Sequence, residues 1–344
     1  MEQKKKSVSL KSIAAEAGVS TSLVSFVLNG KAKQHRVNEQ VAKRVRQIAK
    51  EMNYKPNAIA KSLRNGKSTY IGVVVSDISN IFFAQAARFI ETAAEKYNYS
   101  VQFASTDENK DRTEKIVDQM LYKGMDGIIL VPCEDSESVV ENLISRGTPF
   151  VLFDRNFPDI QCNFVCLNNF KAGYDITKHM IESGRNKIAI IAYDFNLKHM
   201  QDRIEGYKEA MKEKGNEDYI HIKYVDHQNL RKSCEKAVKS IIDENYNGIL
   251  FATNKIGTES LFILNSLEIK IPDDVSVACF DGGNVFELFY APVTHIEQPL
   301  EIMAQKAVDI LVEQIEAPIS ITQSVEAVGS LITRESTRKI TNEP

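Results

Sequence analysis

Residues 9–31 read SLKSIAAEAGVSTSLVSFVLNGK, and their pattern decides how the first part of the chain folds. Leu10, Ile13, Ala14 and Ala17 recur at helical spacing behind Ser9, a residue type that caps helices, and Gly18 stops the run. Ser20 caps a second helix ending near Asn29-Gly30. On it Val24, Val27 and Leu28 share one face, while Ser22, Ser25, Phe26 and Asn29 share the other. A basic loop, KAKQHR, leads to a third helix from about Asn38 to Met52 with Val41, Val45, Ile48 and Met52 inward. Two short helices joined through a glycine turn and backed by a third form a helix-turn-helix. Phe26 is the oddity, a large aromatic on a face otherwise small and polar.

The charge is as uneven as the pattern. Of 344 residues, 43 are Lys or Arg and 46 are Asp or Glu, yet residues 1–67 hold 15 basic and four acidic side chains, a net +11. The rest of the chain nets −14. A basic head on an acidic body implies a polyanionic partner at the head, nucleic acid first. No apolar run with a cleavage site follows Lys4, Lys5 and Lys6, and no stretch reaches 18 apolar residues, so a cytoplasmic protein without membrane contact is expected. Five cysteines at irregular spacing suit a reducing compartment. Cys162 and Cys166 lack a second ligand pair, so packing rather than metal binding is expected of them. The six histidines show no metal spacing, and GxSxG, GxGxxG and Walker loops are missing. No metal, no cofactor and no enzymatic activity are therefore expected.

Beyond the head, Pro56 interrupts the helix pattern and NAIAKSLRNGK reads as a short, marginal helix that serves as a linker. From Tyr70 strand-like runs alternate with helices. YIGVVV, SVQFAS, GIILVP and PFVLFD make one series, and KIAIIAY, IHIKYV, GILFAT and VSVACF a second, near-continuous in apolar residues as strands covered on both faces would be. The fold class expected is α/β, with an all-α head and a core of two parallel-sheet lobes flanking a cleft.

These residues resemble the LacI/GalR family of bacterial transcriptional regulators. The head quoted above, the junction NYKPNAIAKSLRNGKSTYIGVVVSDISNIFFA, and later DGIILVP, RIEGYKEAM, IPDDVSVACFD and VTHIEQP carry the likeness. It implies a DNA-binding domain at 1–56, a hinge helix and linker at 57–68, and a core at 69–335 like the type I periplasmic binding proteins. One lobe would take 69–167 with 299–332, the other 168–298, leaving 336–344 as a tail. The implied function is operator binding under control of a small effector, usually a sugar, by a homodimer on near-palindromic double-stranded DNA. No heptad leucines follow Ile315, so a dimer rather than a tetramer is expected. A periplasmic-type sugar-binding protein would share the core, but not the basic head.

The second helix is expected in the major groove, with Ser20, Thr21, Ser22, Ser25 and Asn29 reaching bases or phosphates. The family often carries Arg or Lys where this chain has Phe26. A ring there suits thymine methyls rather than guanine. The resemblance adds His35 in the basic loop and Asn57, Lys61 and Arg64 in the linker, and it makes Leu63 the wedge that opens a central minor-groove step. For the effector, Asp77, Asn80, Phe82 and Phe83 follow the first strand. Asp154, Arg155, Arg203, Asn254, Asp281 and Gln298 come from the resemblance, as forked and carboxylate groups suited to vicinal hydroxyls. Lys255 stands where the family frequently has Asp, which suggests an acidic ligand.

Overall fold

Ser9 and Ser12 form a reciprocal capping box at the start of α1 (Leu10–Ala17), and Gly18 ends it in the left-handed region at φ 64°. Ser20 Oγ accepts from Leu23 N at 3.2 Å to open α2 (Thr21–Leu28), and Asn38 caps α3 (Glu39–Glu51). Ile13, Val24, Val27 and Val45 are at most 2% exposed and form the centre of this three-helix unit. Residues 8–54, 66–317 and 321–339 of this computed structural model are described below. Asn57, Lys61, Leu63 and Arg64, expected in the linker, lie outside them. The chain divides into two units between residues 68 and 69.

The second unit holds two six-stranded sheets among the described residues. The first comprises β1 (Tyr70–Val75), β2 (Ser100–Ser105), β3 (Gly127–Leu130), β4 (Phe150–Phe153), β5 (Phe164–Leu167) and β11 (Ser324–Ala327). They run in the order β11-β5-β4-β3-β1-β2, every neighbour parallel. The second comprises β6 (Ile188–Tyr193), β7 (His221–Val225), β8 (Gly248–Phe251), β9 (Ser276–Phe280), β10 (Thr294–Glu297) and β12 (Ser330–Ile332). Their order is β12-β10-β9-β8-β6-β7, parallel except for the β10–β12 pair.

Helices α4 (Ile81–Glu95), α5 (Lys110–Tyr122), α6 (Glu137–Ser145) and α12 (Leu300–Glu316) belong to the first lobe. Helices α7 (Asn169–Glu182), α8 (Lys198–Glu213), α9 (Leu230–Asp243), α10 (Asn254–Ser266) and the short α11 (Asn284–Leu288) belong to the second. Strands β1, β3, β4, β6, β8 and β9 are almost wholly buried, as two-sided helix cover requires. The edge strands β2 and β7 are only partly buried, against the expectation of cover on both faces for every strand.

Strand order reverses between β1 and β3, and again between β6 and β8. Loops at the carboxyl ends of both sheets therefore converge on one crevice, the place where such sheets bind ligands. Two expected boundaries move. Ser330–Ile332, expected in the first lobe, pairs with β10, because the chain crosses to the second sheet at Gly329, against Ile296 and Leu167. The tail expected from residue 336 begins later: Ser336 and Thr337 are buried, and Ser336 Oγ accepts from Thr294 N at 2.8 Å. Among the described residues no helix is long and apolar enough to cross a membrane.

Candidate functional site

On the three-helix unit, Ser20, Thr21, Ser22 and Asn29 are exposed, and Ser25 and Phe26 are half-buried. Two of these side chains are engaged within the head. Ser20 caps α2, and Asn29 Nδ2 donates to Ser25 O at 2.6 Å and to Ser25 Oγ at 3.2 Å. Phe26 is not loose on the surface, as its spacing suggested. Its ring stacks on His35, with centroids 3.6 Å apart and planes 10° from parallel. The face is thus small, polar and preorganised, with one flat apolar element.

In the second unit, nine of the ten expected effector residues line one cavity of about 220 Å³. Asp77 and Asn80 enter from the end of β1, and Phe82 and Phe83 from α4, their rings edge to face at 5.0 Å. Asp154 and Arg155 follow β4, and Asp281 follows β9. Arg203 comes from the middle of α8, which starts at Lys198, five residues earlier than expected. Gly173 and Gly206 let α7 and α8 approach backbone to backbone, since a Cβ on either would run into the facing chain, and this holds Arg203 in place. Gln298 does not line this cavity; it lies behind it, donating from Nε2 to Asp281 Oδ1 at 2.6 Å.

The carboxylates enter by a shared backbone device. Asp107, Glu108, Asp154 and Asp281 all have positive φ, between 54° and 67°, immediately beyond strand ends. That left-handed turn is costly for residues other than glycine and is held where surrounding structure enforces it, often at binding sites. Glu108 was missed by sequence reasoning, although STDEN after SVQFA is its only local sign. It accepts both Nη groups of Arg155, at 2.8 and 2.7 Å, with Arg155 only 8% exposed. Ser76, Asp107, Tyr193, His199, Met200, His227 and Thr253 also line the cavity without having been expected there.

Burial alone would raise Glu108, but Arg155 outweighs it and holds the carboxyl below its usual range. Asp154 has the opposite balance: burial pushes it up to about 6, against the pull of Arg155 and Arg203. His199 is lowered well below its usual value by burial and by the same two arginines, so it is neutral near pH 7. Arg203 Nε donates to Asn169 Oδ1 at 2.8 Å, Nη1 donates to Ala252 O at 2.6 Å, and the guanidinium lies 4.4 Å over Phe280. Arg155 Nε, His199 Nδ1 and Asn254 Oδ1 are buried with no hydrogen-bond partner among the described residues. A donor, a ring nitrogen and an acceptor therefore face one cavity unsatisfied.

Among the described residues, no group of three or more His, Cys, Asp or Glu is placed to hold a metal ion. Cys162 and Cys166 are free and buried, and burial pushes them up to about 11 and about 12.

Residues 71–286 match the model of a periplasmic binding protein domain, and residues 9–57 that of bacterial regulatory proteins of the lacI family. The chain is 28% identical over 338 residues to catabolite control protein A of Priestia megaterium, covering 96% of this chain and 99% of that one. It is 29% identical over 332 residues to the ribose operon repressor of Halalkalibacterium halodurans, covering 96% and 97%. Its fold matches a lac repressor dimer bound to operator and the anti-inducer ONPF, with TM-score 0.85, 20% identity and coverage of 97% and 100%. By both matched domains, in this order along one chain, the protein belongs to the LacI family of bacterial regulatory proteins.

Proposed function

We propose that this protein is a sequence-specific transcriptional regulator whose grip on operator DNA is set by a small neutral polyol, of the sugar class, bound between the lobes of its core. The observation that carries the reading is the presence in one chain of a basic lacI-type head and a cavity with mixed unsatisfied donors and acceptors. Vicinal hydroxyls donate and accept together, which is what Arg155 Nε and Asn254 Oδ1 require, and the Phe82 and Phe83 rings suit the C–H face of a sugar.

The expectation of an acidic ligand finds no support in the charges. Asp77, Asp107, Glu108, Asp154 and Asp281 line the cavity against Arg155, Arg203 and Lys255, and all three cations already face carboxylates. An added anion would enter a site with more negative than positive groups. The named relatives are regulators, which supports a binding rather than a catalytic cleft and leaves a sugar-binding protein without DNA function disfavoured.

The protein works as a homodimer in the cytoplasm on near-palindromic sites, with Leu63 as the minor-groove wedge. A thermal-shift screen against neutral sugars, uronic acids and sugar phosphates tests the ligand class. Stabilisation by neutral sugars is expected, and stabilisation by acids alone contradicts the reading.

A further inference from the structure

The stacked pair of Phe26 and His35 joins two parts of the head that are held independently. Phe26 stands on α2 beside Ser22 and Asn29, outside the apolar cluster of Ile13, Val24 and Val45. His35 stands in the loop that follows, and its side chain is exposed. That loop is built rather than slack. Lys31 N donates to Phe26 O at 2.8 Å, His35 N to Lys31 O at 3.1 Å, and Val37 N to Ala32 O at 2.9 Å. Ala32 is 6% exposed, and Val37 packs on the same core, so both ends of the loop are pinned. The backbone thus fixes where the His35 ring can lie, and that ring covers one face of Phe26.

A lone phenylalanine on an exposed helix face swings between rotamers, and holding it still on binding costs affinity and selectivity. A flat partner at 3.6 Å removes that freedom beforehand. A contact with a thymine methyl is apolar and short-ranged, so its discrimination depends on where the ring sits.

We propose that His35 is a positioning residue for DNA reading: its ring holds Phe26 as a rigid apolar plate toward the bases, and base choice at that step requires a flat ring at position 35. This rests on the DNA-reading role of α2 proposed above. It differs from a direct role for His35, in which the imidazole donates to a phosphate. The two roles separate cleanly, because phenylalanine preserves the stack and abolishes the donor.

The test is selection of sites from a randomised duplex pool by the full-length chain, followed by the salt dependence of binding to the selected site. The variants are His35→Ala, His35→Phe and Phe26→Ala. Phe26→Ala should flatten base preference at one symmetry-related pair of positions. His35→Ala should weaken preference at the same pair by about 3–10-fold, the range a stacked aromatic pair supplies, and leave the other positions unchanged. His35→Phe should retain it, and the salt slope should not change.

Preference surviving in His35→Ala would overturn the proposal, as would equal loss in His35→Phe or a salt slope reduced by about one, the mark of a phosphate contact. If the unaltered chain selects no sequence, the DNA-reading role itself fails and this proposal falls with it. A selected site that His35→Ala reads unchanged removes this proposal alone.

Discussion

Lys255 Nζ lies 3.1 Å from Asp77 Oδ2, an ion pair that joins the second lobe to the first at the rim of the cleft. Beside it, Asn254 Nδ2 donates to Asn80 Oδ1 at 2.9 Å. Elsewhere along the cleft Asn196 N donates to Glu134 Oε1 at 2.7 Å, and Leu197, from the second lobe, is buried among first-lobe side chains. The lobes are latched in more than one place, so small changes at the rim shift their closure. Ligand that prefers one closure state is thereby coupled to the rest of the molecule.

Replacing Lys255 by Asp sets two carboxylates against each other across that rim. The pair is half exposed, and its loss and the new repulsion each amount to about 1 kcal/mol or less. Ligand affinity measured by calorimetry should fall by about 3–10-fold, and the reversed pair, Asp77→Lys with Lys255→Asp, should recover most of it. Equal affinity in both single and reversed variants would show that the latch carries no closure energy.

Glu108 and Arg155 are buried together at the cleft wall, so removing one partner strands the other's charge. Glu108→Gln or Arg155→Met should each cost about 3–5 kcal/mol in urea denaturation. The double variant Glu108→Met with Arg155→Met should cost less than either, because no charge is left uncompensated. Additive losses would contradict this.

Asp154 supplies a pH signature. Burial raises it from an ordinary 3.8 to about 6 in the folded chain, so between those values the folded state binds a proton that the unfolded state has released. Stability should therefore fall as pH rises through that window, and stay lower by a constant amount above it. Asp154→Asn should stabilise the chain at pH 7.5 by at most about 3 kcal/mol, with the gain vanishing near pH 4. Melting temperatures of both proteins across that range decide it, and a pH-independent difference would refute it.

The legible part of this molecule was the part written in periodicity. Apolar spacing marked α1 to α3 and the central strands, since burial on one face or both leaves a direct trace. Short strands were harder: Phe164–Leu167 and Ser330–Ile332 have three or four residues each and take their place from neighbours far along the chain. Within the site, Asp77, Asn80, Asp154 and Asp281 follow strand ends and could be placed. Glu108 could not, because its role depends on an arginine 47 residues away. Phe26 was visible as an anomaly, but its partner was not: a stack between a helix and a loop has no sequence period.

Base reading at Phe26 gives a direct substitution test. An arginine there would present a fork suited to guanine, while the phenyl ring suits thymine methyls. Phe26→Arg should move the preferred base at its step from an A·T pair toward guanine, by about 1–3 kcal/mol of discrimination, in a binding assay over all four bases. A strong guanine preference in the unaltered chain would dismiss the assignment.

The central claim is that a cleft ligand alters the hold of the head on a chosen duplex. The direct measurement is the affinity of the full-length chain for its selected site, by fluorescence anisotropy, with and without a sugar that stabilises the core. The account predicts a change of about 5–150-fold, of either sign. An affinity that no core-binding sugar moves, or no site preferred over bulk competitor DNA, would contradict it.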